Sequence, residues 1–181
     1  MKFPSRGAAA LALGLGVAAL VSAHAQAPDP ENTLVMELKC GNVTIALRPD
    51  VASKHVEQIN TLTREKFYDG IVFHRVIDGF MAQTGDPTGT GMGGSDKPDL
   101  PAEFSQVPFE RGTVGMARSQ NPNSANSQFF IMFAPGSFLN GQYTVWGQVS
   151  EGMECIDQIT RGEPPATPDK IISMRVLKDT Q

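Results

Sequence analysis

The chain has 181 residues, 40% hydrophobic and 19% charged, a balance that excludes a disordered polypeptide and fits one globular domain of ordinary size. Its formal charge is −4 and no Lys/Arg cluster opposes it, so nucleic acid is not an expected partner. Eighteen glycines and thirteen prolines, with few long periodic runs, favour β-structure and loops over helices.

Residues 1–25 read as an export signal. Lys2 and Arg6 supply a positive start, Gly7 to Val21 is an apolar run of about 15 residues, and Ala23-His24-Ala25 fits a cleavage site. That run falls short of the roughly 20 residues needed to span hydrocarbon, so cleavage near Ala25 and a periplasmic or secreted product are expected, without a stable membrane anchor. Cleavage would take the formal charge from −4 to −6. Residues 26–32 are a polar, Pro-containing lead-in expected to be disordered, and residues 33–178 form one domain. Cys40 and Cys155 are the only cysteines. In an oxidising compartment they could pair, or they could be two separate small core residues; spacing alone does not choose.

Thr33–Lys39 and Val43–Leu47 alternate apolar and polar residues around Cys40-Gly41-Asn42, which predicts an opening β-hairpin. Pro49-Asp50 starts a helix of about 13 residues with Ala52, Val56, Ile59 and Leu62 or Thr63 on its apolar face. A strand over Ile71–Ile77 places Phe73, Arg75 and Ile77 on one face and Val72, His74 and Val76 on the other. Phe80–Thr84 is extended, and Gly85–Pro101 is a long Gly-rich surface loop. Further strands are expected at Thr113–Ala117, Gln128–Phe133, Tyr143–Val149 and Lys170–Leu177, with a short helix over Glu151–Arg161. The pattern, roughly eight short strands and two helices with one near each end, predicts a mainly β fold: a closed barrel capped at both mouths.

Little in this inventory supports covalent chemistry. A Ser triad needs a His base with a carboxylate behind it; past the export signal only His55 and His74 remain, neither placed for that task. Two histidines and two distant cysteines make no metal site, and no cofactor is expected. Gly89–Gly94 lacks the Gly-Lys-Ser/Thr ending of a phosphate loop, and Pro98 follows closely. What remains is FHRVIDGFMAQTGD, where Arg75 stands close in sequence to Phe80, Met81 and Gln83. A cation in an apolar strand needs partners or a wet groove, since burying it alone is costly.

Three blocks, FHRVIDGFMAQTGDPTGTGMGG, GMARSQNPNSANSQFFI and FLNGQYTVWGQV, make residues 33–178 resemble the cyclophilins, the peptidyl-prolyl cis-trans isomerases that bind cyclosporin. The resemblance implies a closed eight-stranded antiparallel β-barrel capped by two α-helices, one across each end, with an outer groove for proline-containing peptides. It implies Arg75 as the catalytic residue, and Phe80, Met81, Phe130 and Leu139 as the pocket for the proline ring. Gln83 would contact the peptide carbonyl, Ala117, Arg118 and Gln128 would line the groove (Arg118 through its backbone), and His74 would support Arg75. Phe138 and Tyr143 also fall on substrate-binding positions, where many eukaryotic members carry Trp and His. Without the indole N–H, weak cyclosporin binding is expected. Unfolded exported proteins are the expected partners of a monomer, and a non-catalytic peptide-binding chaperone on the same fold is the alternative.

Overall fold

A computed structural model of the protein describes residues 29–180. The expected export signal, its cleavage point and residues 26–28 of the lead-in lie outside the described residues. Of that lead-in, residues 29–32 are described. Pro30–Asn32 forms a 3-10 turn capped by the Asp29 side chain, and Glu31 pairs with Arg64 at 2.9 Å.

The opening hairpin is β1 (Thr33–Leu38) and β2 (Gly41–Leu47). Leu38 pairs with Gly41, so the turn is Lys39-Cys40, slightly earlier than expected. Helix α1 runs from Ser53 to Arg64, starting later than Pro49-Asp50 suggested. Its N-terminus has no local side-chain cap; Glu103, from the long loop, accepts from the backbone N–H of Lys54 and His55 instead. A helix start leaves unpaired N–H groups, and any well-placed carboxylate satisfies them. The remaining strands are β3 (Arg75–Ile77), β4 (Met81–Thr84), β5 (Thr113–Met116), β6 (Phe129–Met132), β7 (Val145–Glu151) and β8 (Ser173–Val176), with α2 (Met153–Asp157) before β8.

All eight strands join one sheet, in order β3-β4-β6-β5-β7-β2-β1-β8, and every pairing is antiparallel. The expected closed barrel is not formed: the sheet curls but keeps two edges, β3 and β8. Only single bridges, such as Val72 to Lys170 and Val76 to Gly162, cross the gap. The cause lies in the chain there. β3 is three residues long, and the facing segment carries Pro164, Pro165 and Pro168, which have no N–H to donate to a ladder.

Two apolar clusters use opposite faces of this sheet. The larger lies inside the curl and gathers Ile45, Ile59, Phe73, Phe129, Ile131, Trp146 and Ile156 from strands and both helices. Trp146, the only tryptophan, is fully buried there against Phe129. The smaller cluster lies outside and contains Met81, Phe109, Phe130, Met132, Leu139 and Val145. Cys40 and Cys155 are disulfide-bonded with Cα atoms 5.4 Å apart, tying the first hairpin turn to α2.

Candidate active site

The outer cluster is the floor of a groove, and strand register builds it. Arg75 pairs with Gln83, Gln83 with Phe130, Phe130 with Gly115 and Gly115 with Val145. Cross-strand partners share a face, so one residue from each of five strands forms a row on the outer surface. Gly115 allows that row to lie flat: a Cβ there would stand 2.6 Å from the Phe130 ring and 2.5 Å from Phe109. The expected side alternation along Ile71–Ile77 holds only for the ladder residues. Phe73 joins the inner core with Val76, whereas Arg75 points outward; residues 71–74 form no regular strand, so period-two geometry does not carry across them.

Arg75, Phe80, Met81, Gln83 and Phe130 line one cleft of about 280 Å³ together with Ala117, Arg118, Phe138, Leu139 and Tyr143. Phe130 stacks on Phe109 and meets the Tyr143 ring edge-on, with centroids 5.7 and 5.8 Å apart. Phe138 leans on Phe80 at 5.4 Å and is 69% exposed, the least covered part of the wall. The Arg118 side chain crosses between two walls: it donates to the backbone oxygens of Ser119 (2.9 Å) and Gln142 (2.8 Å) and stacks over Tyr143. This use of the side chain could not be anticipated from its position.

Gln128 falls in a neighbouring cleft of about 490 Å³, which shares Gln83, Ala117 and Arg118 with the first. Hydrogen bonds connect the two. Arg75 Nη1 donates to Gln83 Oε1 (3.4 Å), Gln83 Nε2 to Gln128 Oε1 (2.9 Å), and Gln128 Nε2 to the carbonyls of Gly91 (3.0 Å) and Gly93 (2.8 Å). At the other end, Arg75 Nε donates to Glu163 Oε1 at 2.8 Å.

The Gly-rich loop is organised around Asp86, which sequence reading passed over. Its buried carboxylate accepts from Thr88 through both N–H and hydroxyl, and from the N–H groups of Thr90, Gly91 and Gly93. Burial alone would raise its pKa, but these donors together outweigh it and bring the value down to about 2. An Asp followed by small residues with free N–H groups was the available signal. His74 is buried beneath this loop, its ring about 3.5 Å from where a Gly91 side chain would begin. Desolvation lowers its pKa, with Asp86 opposing, and neither ring nitrogen has a hydrogen-bond partner. His74 therefore packs behind the groove and does not enter it. His55 is buried against Glu103, at 2.6 Å, away from the groove. Among the described residues no His, Cys, Asp and Glu cluster could hold a metal ion.

The arrangement is a fixed cation over an apolar floor, with amides at one side and no nucleophile beside a base. The chain as a whole is similar to known proteins. Residues 33–176 match the model for cyclophilin type peptidyl-prolyl cis-trans isomerases. A probable peptidyl-prolyl cis-trans isomerase of Brucella suis is 55% identical, with 96% of each chain covered. A peptidyl-prolyl cis-trans isomerase-like 1 protein of Aspergillus oryzae is 36% identical over 81% of this chain and 96% of its own. Among solved structures, cyclophilin AquaCyp293 from Hirschia baltica superposes with a TM-score of 0.78 at 31% identity, covering 83% of this chain and 76% of that one. A Cryptosporidium parvum cyclophilin, crystallised in the presence of the dipeptide Ala-Pro, gives 0.74 at 27% identity, with 80% and 98% covered. On the extent of these matches, the chain belongs to the cyclophilin-type peptidyl-prolyl cis-trans isomerase family.

Proposed function

We propose that the protein accelerates rotation about Xaa-Pro bonds in proline-containing segments of exported polypeptides, with Arg75 as its catalytic residue. The observation that carries this reading is the Arg75 guanidinium, held by Gln83 on one edge and lining the same cleft as Phe80, Phe130 and Leu139. The Ala-Pro dipeptide used with the Cryptosporidium relative is the smallest ligand of the class that such a cleft would take.

Amide resonance sets the uncatalysed barrier at about 18–20 kcal/mol. Rotation localises the lone pair on the proline nitrogen, so a donor aimed there stabilises the twisted amide more than either planar isomer. Phe80, Met81, Phe130 and Leu139 hold the ring and exclude water, which strengthens that hydrogen bond. Gln83 takes the peptide carbonyl, while Ala117 and the backbone at Arg118 align the strand of substrate. An acceleration on the order of 10⁵ requires a preference of only about 7 kcal/mol. Arg remains charged at all usable pH, so a flat pH–rate profile from about pH 6 to 9 is the expected signature.

Export is supported by Lys2, Arg6 and the apolar run before Ala25. It is also supported by the Cys40–Cys155 disulfide, which suits an oxidising compartment. Phe138 offers no ring N–H, so cyclosporin should bind weakly.

The test is isomerisation of a short Xaa-Pro peptide by the wild type and by Arg75→Ala. We expect a loss of about 10²–10³ in kcat with a smaller change in KM. Turnover that survived in Arg75→Ala would remove the catalytic assignment, and a wild type that bound the peptide without turnover would favour the chaperone alternative.

A further inference from the structure

We propose that Glu163 is a positioning residue for Arg75; the inference rests on the catalytic reading of that arginine and adds a residue to it. β3 is an edge strand, with β4 on one side only. On its open side the Gly162–Pro168 segment is attached by a reciprocal pair of backbone hydrogen bonds, Val76 N–H to Gly162 O and Gly162 N–H to Val76 O, both 2.8 Å. Those bonds join the residue after Arg75 to the residue before Glu163. Gly162 is suited to the attachment, because it sits at φ +148° and a Cβ would lie 2.5 Å from Pro165 Cα. The Glu163 carboxylate thereby reaches Arg75 Nε at 2.8 Å.

A guanidinium on a free side chain turns about several bonds. Here Glu163 takes the Nε edge and Gln83 takes Nη1. Two contacts at separate points fix a planar group's direction as well as its place. Among the described residues Nη2 makes no hydrogen bond, which leaves it available to the twisted amide. Pre-orienting the donor removes an ordering step from the transition state. The side chains of Arg75 and Glu163 are 43% and 53% exposed, so the pair contributes little to folding. Its effect should appear in turnover.

The experiment compares wild type, Glu163→Gln, Glu163→Asp and Glu163→Ala on an uncharged Xaa-Pro peptide. It also follows exchange of the Arg75 Nε–H with solvent by NMR. Glu163→Gln and Glu163→Ala should lower kcat about tenfold with KM moved less than about twofold and melting temperature unchanged. Glu163→Asp should recover part of the loss, and the Nε–H, slow to exchange in wild type, should exchange fast in the Gln and Ala variants. Raising salt should slow the wild type and leave Glu163→Gln unaffected. Wild-type kcat in Glu163→Gln, or a loss confined to KM or melting temperature, overturns the proposal. An inactive wild type with a slow Nε–H would instead sink the catalytic reading while showing that the contact exists.

Discussion

Strand β6 runs Phe129-Phe130-Ile131-Met132 with no polar residue, and it feeds two cores that behave differently. Phe129 and Ile131 enter the inner cluster, where Phe129 packs edge-on to both Trp146 and Tyr68, with centroids 5.3 and 5.5 Å away. Phe130 and Met132 enter the outer cluster, of which Met81, Phe130 and Leu139 line the groove. The inner core is sealed by α1 and α2; the outer one is left open where the groove runs. A strand that is apolar on both faces must be covered twice, and where the second cover is incomplete, the uncovered apolar floor is available to a ligand. Stability should therefore reside mainly on one side of the sheet and recognition on the other.

The largest effects should separate the two faces directly. Phe129→Ala leaves a cavity in the sealed core and should cost about 3–5 kcal/mol in urea unfolding, with KM little changed in whatever fraction remains folded. Phe130→Ala should cost less, about 2–3 kcal/mol, while raising KM for a proline peptide about tenfold. Equal losses of both kinds in the two variants would break the division.

The disulfide sharpens the same contrast from the inner side. It spans 115 residues, and closing so long a loop restricts the unfolded chain. Replacing Cys40 and Cys155 by Ser should lower stability by about 2–5 kcal/mol, with kcat/KM for a short peptide within about twofold of wild type. Calorimetry and the peptide assay check both halves.

Asp86 gives the smallest effect, confined to the groove side. Its carboxyl titrates at about 2 in the folded protein and at about 3.9 when unfolded. The stability it contributes is therefore complete above about pH 4 and is lost as pH falls through about 2, between about 2 and 3 kcal/mol in all. Urea midpoints followed from pH 5 to 2 should fall less steeply in Asp86→Asn, whose peptide binding should already be weaker at pH 7 because the Gly-rich loop is less firmly held.

Apolar periodicity located α1, the opening hairpin and most of the later strands, because burial of one face leaves a local mark on residue order. The three blocks that resemble cyclophilins marked out the groove residues, and ten of them, from Arg75 to Tyr143, do line one cleft. Two further features were illegible. The closed barrel failed at a junction set by Pro164, Pro165 and Pro168 together with the brevity of β3. The strict alternation through Phe73 and Arg75 failed because residues 71–74 are not in a ladder. In both places the expectation extended regular strand geometry beyond the pairing that enforces it.

The order of residues alone determined which segments could bury apolar area and which chemistry was present: an arginine, Arg75, set among apolar residues, several aromatic rings, and no paired nucleophile and base. Tertiary structure decided who meets whom across long separations. Glu163 reaches Arg75 across 88 residues, Glu103 caps a helix 48 residues away, and Cys40 finds Cys155. Periodicity and turn chemistry act over a few neighbouring bonds, whereas hydrogen-bond partners and register are chosen by the packing of the whole chain, so no local pattern encodes them.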